Sequence, residues 1–166
     1  MLAKADAHVT AATRNANFGR VTRLTVDGKP VARSYVRFEL ENRGGKVRRI
    51  NLLLYTHTRS RVGYQIRLVS TRWTERRITF ENAPRVSRRY VSSGRVRARA
   101  WKAVDVTSLV GGDLDSNVSF ALTTAGTRAI EVASRESGLR GPRLVIERED
   151  EDPSGSGPGT KGGGTP

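Results

Sequence analysis

The side chains with the clearest chemistry in this chain are guanidinium groups. In RVRARA, residues 95–100, an extended backbone puts Arg95, Arg97 and Arg99 on one face and turns Val96, Ala98 and Ala100 toward a core. Guanidiniums on such a face stand about 7 Å apart, a loose match to the charges along an extended polyanion. Arg33, Arg37 and Arg67 fall in other strand-like segments and extend the patch. Arginine offers a rigid fork that pairs bidentately with carboxylate or phosphate. Tyr64 or Tyr35 could pack on a sugar face beside it. The same stripes could instead pair with Glu39, Glu41 or the acidic C-terminal run, and the residues alone leave both options open. The basic stripe is short of aromatics, whereas single-strand nucleic-acid binders interleave stacking rings with basic groups. No RNP-like motif is present either. An acidic glycan of the uronate type is therefore favoured over nucleic acid, although phosphate contacts need no rings.

Other chemistries have little to stand on. His8 and His57 are far apart and lack zinc-type spacing. There is no nucleophile elbow, no Walker motif and no phosphate-binding glycine loop. YQIR, residues 64–67, resembles part of the Arg, Gln, His and Tyr set of some sandwich-fold polysaccharide lyases, but it puts Arg67 where a His would help. The chain is therefore expected not to be an enzyme. Calcium asks for several hard oxygens. Asp6 and Asn17, with Asn15 nearby, are the candidate ligands of a structural calcium; Asp113 and Asp115, flanking a glycine turn, are a weaker pair. No EF-hand spacing exists, and Asn or Asp in turns commonly serves local hydrogen bonding.

Charge is the strongest compositional fact. The 166 residues hold 30 Lys+Arg against 16 Asp+Glu, a net charge of +14, and Lys occurs only at 4, 29, 46, 102 and 161. A field this positive favours nucleic acid, acidic polysaccharide, teichoic acid or an anionic surface. Composition breaks at residue 147. Residues 147–166, EREDEDPSGSGPGTKGGGTP, carry five acids against Arg148 and Lys161, net −3, which leaves +17 for residues 1–146. The acidic start gives way to a Gly/Pro/Ser-rich stretch that reads as a flexible linker or tail, tethering the body to further domains. The absence of cysteine excludes disulfides and thiolate metal sites. No apolar run is long enough to span a membrane. MLAKADAHVT lacks the apolar region of a signal peptide, so the protein is either cytosolic or its signal lies outside this sequence.

The body reads as short strands. They fall at residues 21–26, 33–40, 50–55, 64–69, 118–123, 129–133 and 142–146, separated by Gly, Asn and Pro. Asp27-Gly28-Lys29-Pro30 makes a hairpin turn between the first two. In the second, Ser34, Val36, Phe38 and Leu40 share one face and Arg33, Tyr35, Arg37 and Glu39 the other. INLLLY, 50–55, is apolar on both faces for part of its length, as a central strand would be. TSLV, 107–110, ending at Gly111-Gly112, is a short helical turn. Many short strands at this spacing predict a sandwich or barrel. In WTERRITFENAP, residues 73–84, Ile78 and Phe80 alternate as a short strand, Trp73 closes one end and Asn82-Ala83-Pro84 ends the pairing. Glu75 and Glu81 satisfy loop backbone or a neighbouring Arg. The segment reads as a structural loop plugging the sandwich.

Taken in order, ADAHV (5–9), NFG (17–19), LTVDG (24–28), SYVRFEL (34–40), INLLLY, WTERRITFENAP, WKAVDVTSLV (101–110), VSFAL (118–122), SRE (134–136) and PRLVI (142–146) resemble the extracellular modules called DNRLRE domains, or family 96 carbohydrate-binding modules. The likeness covers about residues 5–146. It implies an all-β, two-sheet β-sandwich of jelly-roll type, secreted or at the cell surface, usually one module of a larger surface protein or polysaccharide-degrading enzyme. Some such modules bind alginate-type polysaccharide, and calcium is compatible with them. This chain departs from the family in its basic body, in Phe80 where Trp is usual and in Phe18 where Tyr is usual. Two functions follow as expectations. The first is a non-catalytic module that binds acidic polysaccharide through Arg33, Arg37, Tyr64, Arg67, Arg95, Arg97 and Arg99. The second is a structural spacer or adhesion domain that meets teichoic acid or a partner protein. In either, residues 147–152 could fold back on the basic face and compete with ligand.

Overall fold

The computed structural model describes residues 1–40, 45–111 and 117–149, and within them the chain is built from antiparallel strands. One sheet contains β1 (Ala5–Thr10), β3 (Val31–Phe38), β8 (Val118–Thr123), β5 (Gln65–Leu68) and the short β6 (Val91–Ser92). The other contains β2 (Arg23–Gly28), β9 (Ile130–Ala133), β4 (Val47–Thr56), β7 (Ala100–Asp105) and β10 (Arg143–Arg148). The β2–β3 hairpin joins them. Asp27 pairs with Ala32 and Gly28 with Val31, after which β2 leaves for β9 and β3 continues beside β1 and β8. This is the two-sheet sandwich that the strand pattern predicts.

Period-two alternation builds the main core. Leu24 and Val26, Val36 and Phe38, Ile50, Leu52 and Leu54, Phe120 and Leu122, and Ile130 and Val132 all point between the sheets and are buried. β4 is central, flanked by β7 along Asn51–Thr56 and by β10 along Val47–Leu53; its Ile50, Leu52 and Leu54 face the core, while Leu53 and Tyr55 are half-buried on the other face. β8 and the helical turn α1 (Thr107–Val110) match the sequence reading at both ends. Asp105 Oδ1 accepts from the Thr107 amide, and Gly111, at φ 77°, ends the turn. β10 continues two residues past Ile146, with Glu147 opposite Arg49 and Arg148 opposite Val47.

A second, smaller core lies outside the first sheet. Tyr35 points away from the main core yet is buried, because the chain from 69 to 86 drapes over that face. Ala5, Ala7, Val9, Tyr35, Trp73, Ile78 and Ala121 form the cluster, flanked by Val69, Phe80, Ala83 and Val86. Trp73 meets Tyr35 edge-on at 6.0 Å and donates Nε1–H to Ser119 Oγ at 2.9 Å. Residues 73–84 are thus structural, but they cover the sheet from outside rather than plug the sandwich. They also form turns at 75–77 and 80–82 instead of the short strand expected at Ile78–Phe80. Asn82 accounts for this, accepting from the Thr79 amide and donating to the Arg77 carbonyl, so the backbone bonds to its own loop.

Candidate functional site

Arg33, Arg37 and Arg67 lie on strands, as the sequence suggests, but the covering loop claims the first two, and residues 87–90 that follow it claim Arg67. Arg37 Nη1 donates to the carbonyls of Thr71 (3.2 Å) and Trp73 (2.7 Å), and its guanidinium lies 5.3 Å from the Trp73 ring. Arg67 donates to the Ser87 and Arg88 carbonyls, to Thr123 Oγ1 and to Gln65 Oε1, and stacks on Tyr90 at 4.6 Å. Arg33 packs 5.5 Å from the Phe80 ring. The Arg33 and Arg37 contacts fasten the loop to β3, and those of Arg67 hold residues 87–90 against β5. Tyr64 is only 1% exposed, its ring inside the main core and its hydroxyl without a partner among the described residues, so it offers no surface to a sugar; burial pushes its phenol above the ordinary value. Tyr35 is likewise buried, its hydroxyl donating to the Pro84 carbonyl. The sequence reading placed both rings on the wrong side of the surface.

Residues 95–100 are not an extended strand, and their arginines do not form one stripe. Val96 alone is buried; it makes an isolated bridge to Ser60, while Ala98 is exposed and Arg99 turns at φ 54°. The bridge brings two loops together, with paired bonds of 3.1 and 2.9 Å between Ser60 and Val96. Beneath them, Thr124 Oγ1 donates to the Gly63 carbonyl at 2.7 Å, and the Tyr64 amide donates to Ser93 Oγ at 2.9 Å. Gly63, at φ 71°, has no room for a side chain: a Cβ would come within 1.9 Å of the Gly94 carbonyl. The three loops 59–62, 95–98 and 125–128 consequently wall one cleft of about 770 Å³.

Five arginines line it: Arg59, Arg61, Arg95, Arg97 and Arg128. Among the described residues, no carboxylate lines the cleft, and no ion pair or side-chain hydrogen bond occupies any of the five guanidiniums. Several described carboxylates pair elsewhere: Glu39 with Lys4, Glu81 with Arg14, Glu131 with Arg23, and Asp105 with Arg49. Arg95 and Arg97 were legible from sequence; Arg99 lies outside the lining. Arg59, Arg61 and Arg128 were missed because they belong to turns distant in the chain. The usable signal was the short basic segment Arg59-Ser60-Arg61 just before Gly63; Arg128, the one basic residue of 118–134, carried no such signal. Exposed aromatic surface lies on the outer face of the second sheet. Trp101 there is 41% exposed, beside Tyr55 at 5.7 Å, with Arg143 stacked 4.8 Å from its ring.

The proposed calcium ligands also separate. Asn17 gives both Nδ2 hydrogens to backbone, to the Glu75 and Ile78 carbonyls, and its Oδ1 accepts from the Gly19 amide, so it is a loop-holding residue. Asp6, in contrast, is buried beside Glu75 and Glu136. Burial pushes its carboxyl up to about 8, the Arg135 amide opposing this and the two neighbouring glutamates adding to it. The Asp113 and Asp115 pair and most of the 147–166 tail lie outside the described residues.

The described residues thus form an all-β, two-sheet sandwich with an open basic cleft. The family model for carbohydrate-binding module family 96 matches residues 1–148, and the chain belongs to that family. No curated protein matches the chain. No helix among the described residues is long and apolar enough to cross a membrane.

Proposed function

We propose that this carbohydrate-binding module is non-catalytic, acts outside the cell, and takes an acidic polysaccharide, with the 59–62, 95–98 and 125–128 cleft as its site. The observation that carries this reading is the convergence of Arg59, Arg61, Arg95, Arg97 and Arg128 on a cleft lined by no carboxylate. A guanidinium without a protein partner is ready for a ligand carboxylate, and the fork geometry suits bidentate pairing. Such exposed pairs are worth only about 0.2–1 kcal/mol each. Five together hold a polymer weakly per site, and a repeating polyuronate compensates by presenting many carboxylates.

The test is affinity electrophoresis and calorimetry against alginate, pectate, teichoic acid and a neutral glucan. Retardation by the two polyuronates is expected, with none by the glucan. Binding should fall about tenfold or more between about 0.05 and 0.5 M salt as screening shortens the Debye length. Replacing Arg95 and Arg97 together by Ser should weaken binding about tenfold while leaving the melting temperature nearly unchanged, since both are exposed. Equal retardation by neutral glucan, or full binding by the double variant, would overturn the assignment. Preference for teichoic acid over both polyuronates would instead support an adhesion role.

A further inference from the structure

We propose that Asp6, Glu75 and Glu136 form a binding site for a divalent cation of the calcium class, which ties β1, the 71–84 loop and the 135–140 turn together. One oxygen from each residue lies within 4.8 Å of the others. Asp6 is 1% exposed, and its Oδ1 is buried with no hydrogen-bond partner among the described residues. Such an atom is costly to leave unsatisfied. Its Oδ2 is already fixed, accepting from the Arg135 amide at 2.7 Å.

The surroundings hold the three carboxylates in place before any ion arrives. Glu75 Oε1 accepts from the Asp6 amide at 2.9 Å, and Arg135 Nη1 reaches both Glu75 oxygens at 3.0 and 2.9 Å. Arg135 also approaches Glu136 at 3.5 Å. The Glu75 backbone is pinned by Asn17 and abuts Gly19, where a Cβ would meet the Glu75 carbonyl oxygen at 2.1 Å. Three carboxylates face one guanidinium, so when all are ionised two negative charges are uncompensated, the charge of one divalent ion. An all-oxygen ligand set with room for water suits calcium, which takes about 6–8 oxygens in flexible geometry at about 2.3–2.6 Å. Water would complete the shell on the exposed Glu136 side.

The experiment is a thermal melt and a calorimetric titration of the full chain, stripped with EDTA, against calcium chloride and magnesium chloride. Millimolar calcium should raise the melting temperature by about 5 °C. EDTA should reverse the rise, and magnesium should give less. Asp6→Asn should abolish the rise. Since Asp6 is buried, that variant risks misfolding, so Glu136→Gln, on the exposed side, provides the second arm and should lose at least about tenfold in calcium affinity. Identical melts with calcium and with EDTA would overturn the site, leaving a proton held among the three carboxyls. Undiminished calcium binding by a folded Glu136→Gln variant would overturn it equally. The readout involves no glycan, so it stands or falls apart from the cleft.

Discussion

His8 sits on β1 with 9% of its surface exposed, its ring stacked on Phe18 at 4.4 Å and its Nδ1 buried without a partner among the described residues. Burial lowers its folded pKa to about 4, against 6.5 for free imidazole. The neutral form is thus favoured on folding, and the stability tied to it is fully present above pH 6.5 and lost as pH falls through about 4. A shift of this size corresponds to roughly 3 kcal/mol at full effect. Melting temperatures between neutral pH and pH 4 should therefore drop less in His8→Phe than in the parent; parallel curves would show that the ring is not responsible. Residue types alone did not reveal such roles. Arg37 and Arg97 look alike in sequence, yet one is spent on the Trp73 carbonyl and the other opens on a cleft. What separates them is which neighbour covers them, and that is settled only by folding.

At the scale of elements, the alternation rule worked wherever a segment is a true strand. β8 and α1 follow the sequence reading residue for residue, because their apolar period and glycine stop are local facts. The rule failed at 95–100, where Val96 serves one isolated bridge and Arg99 turns back. At Tyr35 the alternation held and put the ring on the outer face of β3, but that face is covered by the 69–86 segment and is not open to solvent. That covering is energetically serious. Trp73 buries one of the largest side chains in the chain and bonds Ser119 through its indole N–H. Trp73→Ala should cost about 3–5 kcal/mol, read from urea unfolding. The near-ultraviolet signal of the outer cluster should vanish in the variant. A loss under about 1 kcal/mol would mean that the loop packs without depending on it.

For the whole molecule, the family and the sandwich were legible because ordered short segments carry them, whereas the cleft joins residues near 60, 96 and 127 that no local pattern connects. Segregated charge gives a prediction at this scale. Glu147 and Glu149 belong to the ordered edge: Glu147 pairs opposite Arg49, the Glu149 amide donates to the Lys46 carbonyl, and its carboxylate approaches Lys46 at 3.4 Å. A cut after Ile146 would remove part of β10, so the informative truncation follows Glu149. It deletes three acids and one lysine and raises net charge by two. Polyuronate binding at low salt should tighten modestly while melting stays unchanged; unchanged affinity would free the tail of any masking role.

The ties that hold the cleft together are backbone and hydroxyl bonds: Ser60 to Val96, and Thr124 to Gly63. None of them uses an arginine side chain. With the cleft as the proposed site, recognition and folding would be written in different residues, and the cleft could change its preference by drift at five surface positions without renegotiating the scaffold. In an evolving lineage, ligand class would then turn over faster than architecture, and modules with nearly superimposable sandwiches would be expected to recognise polymers of opposite charge.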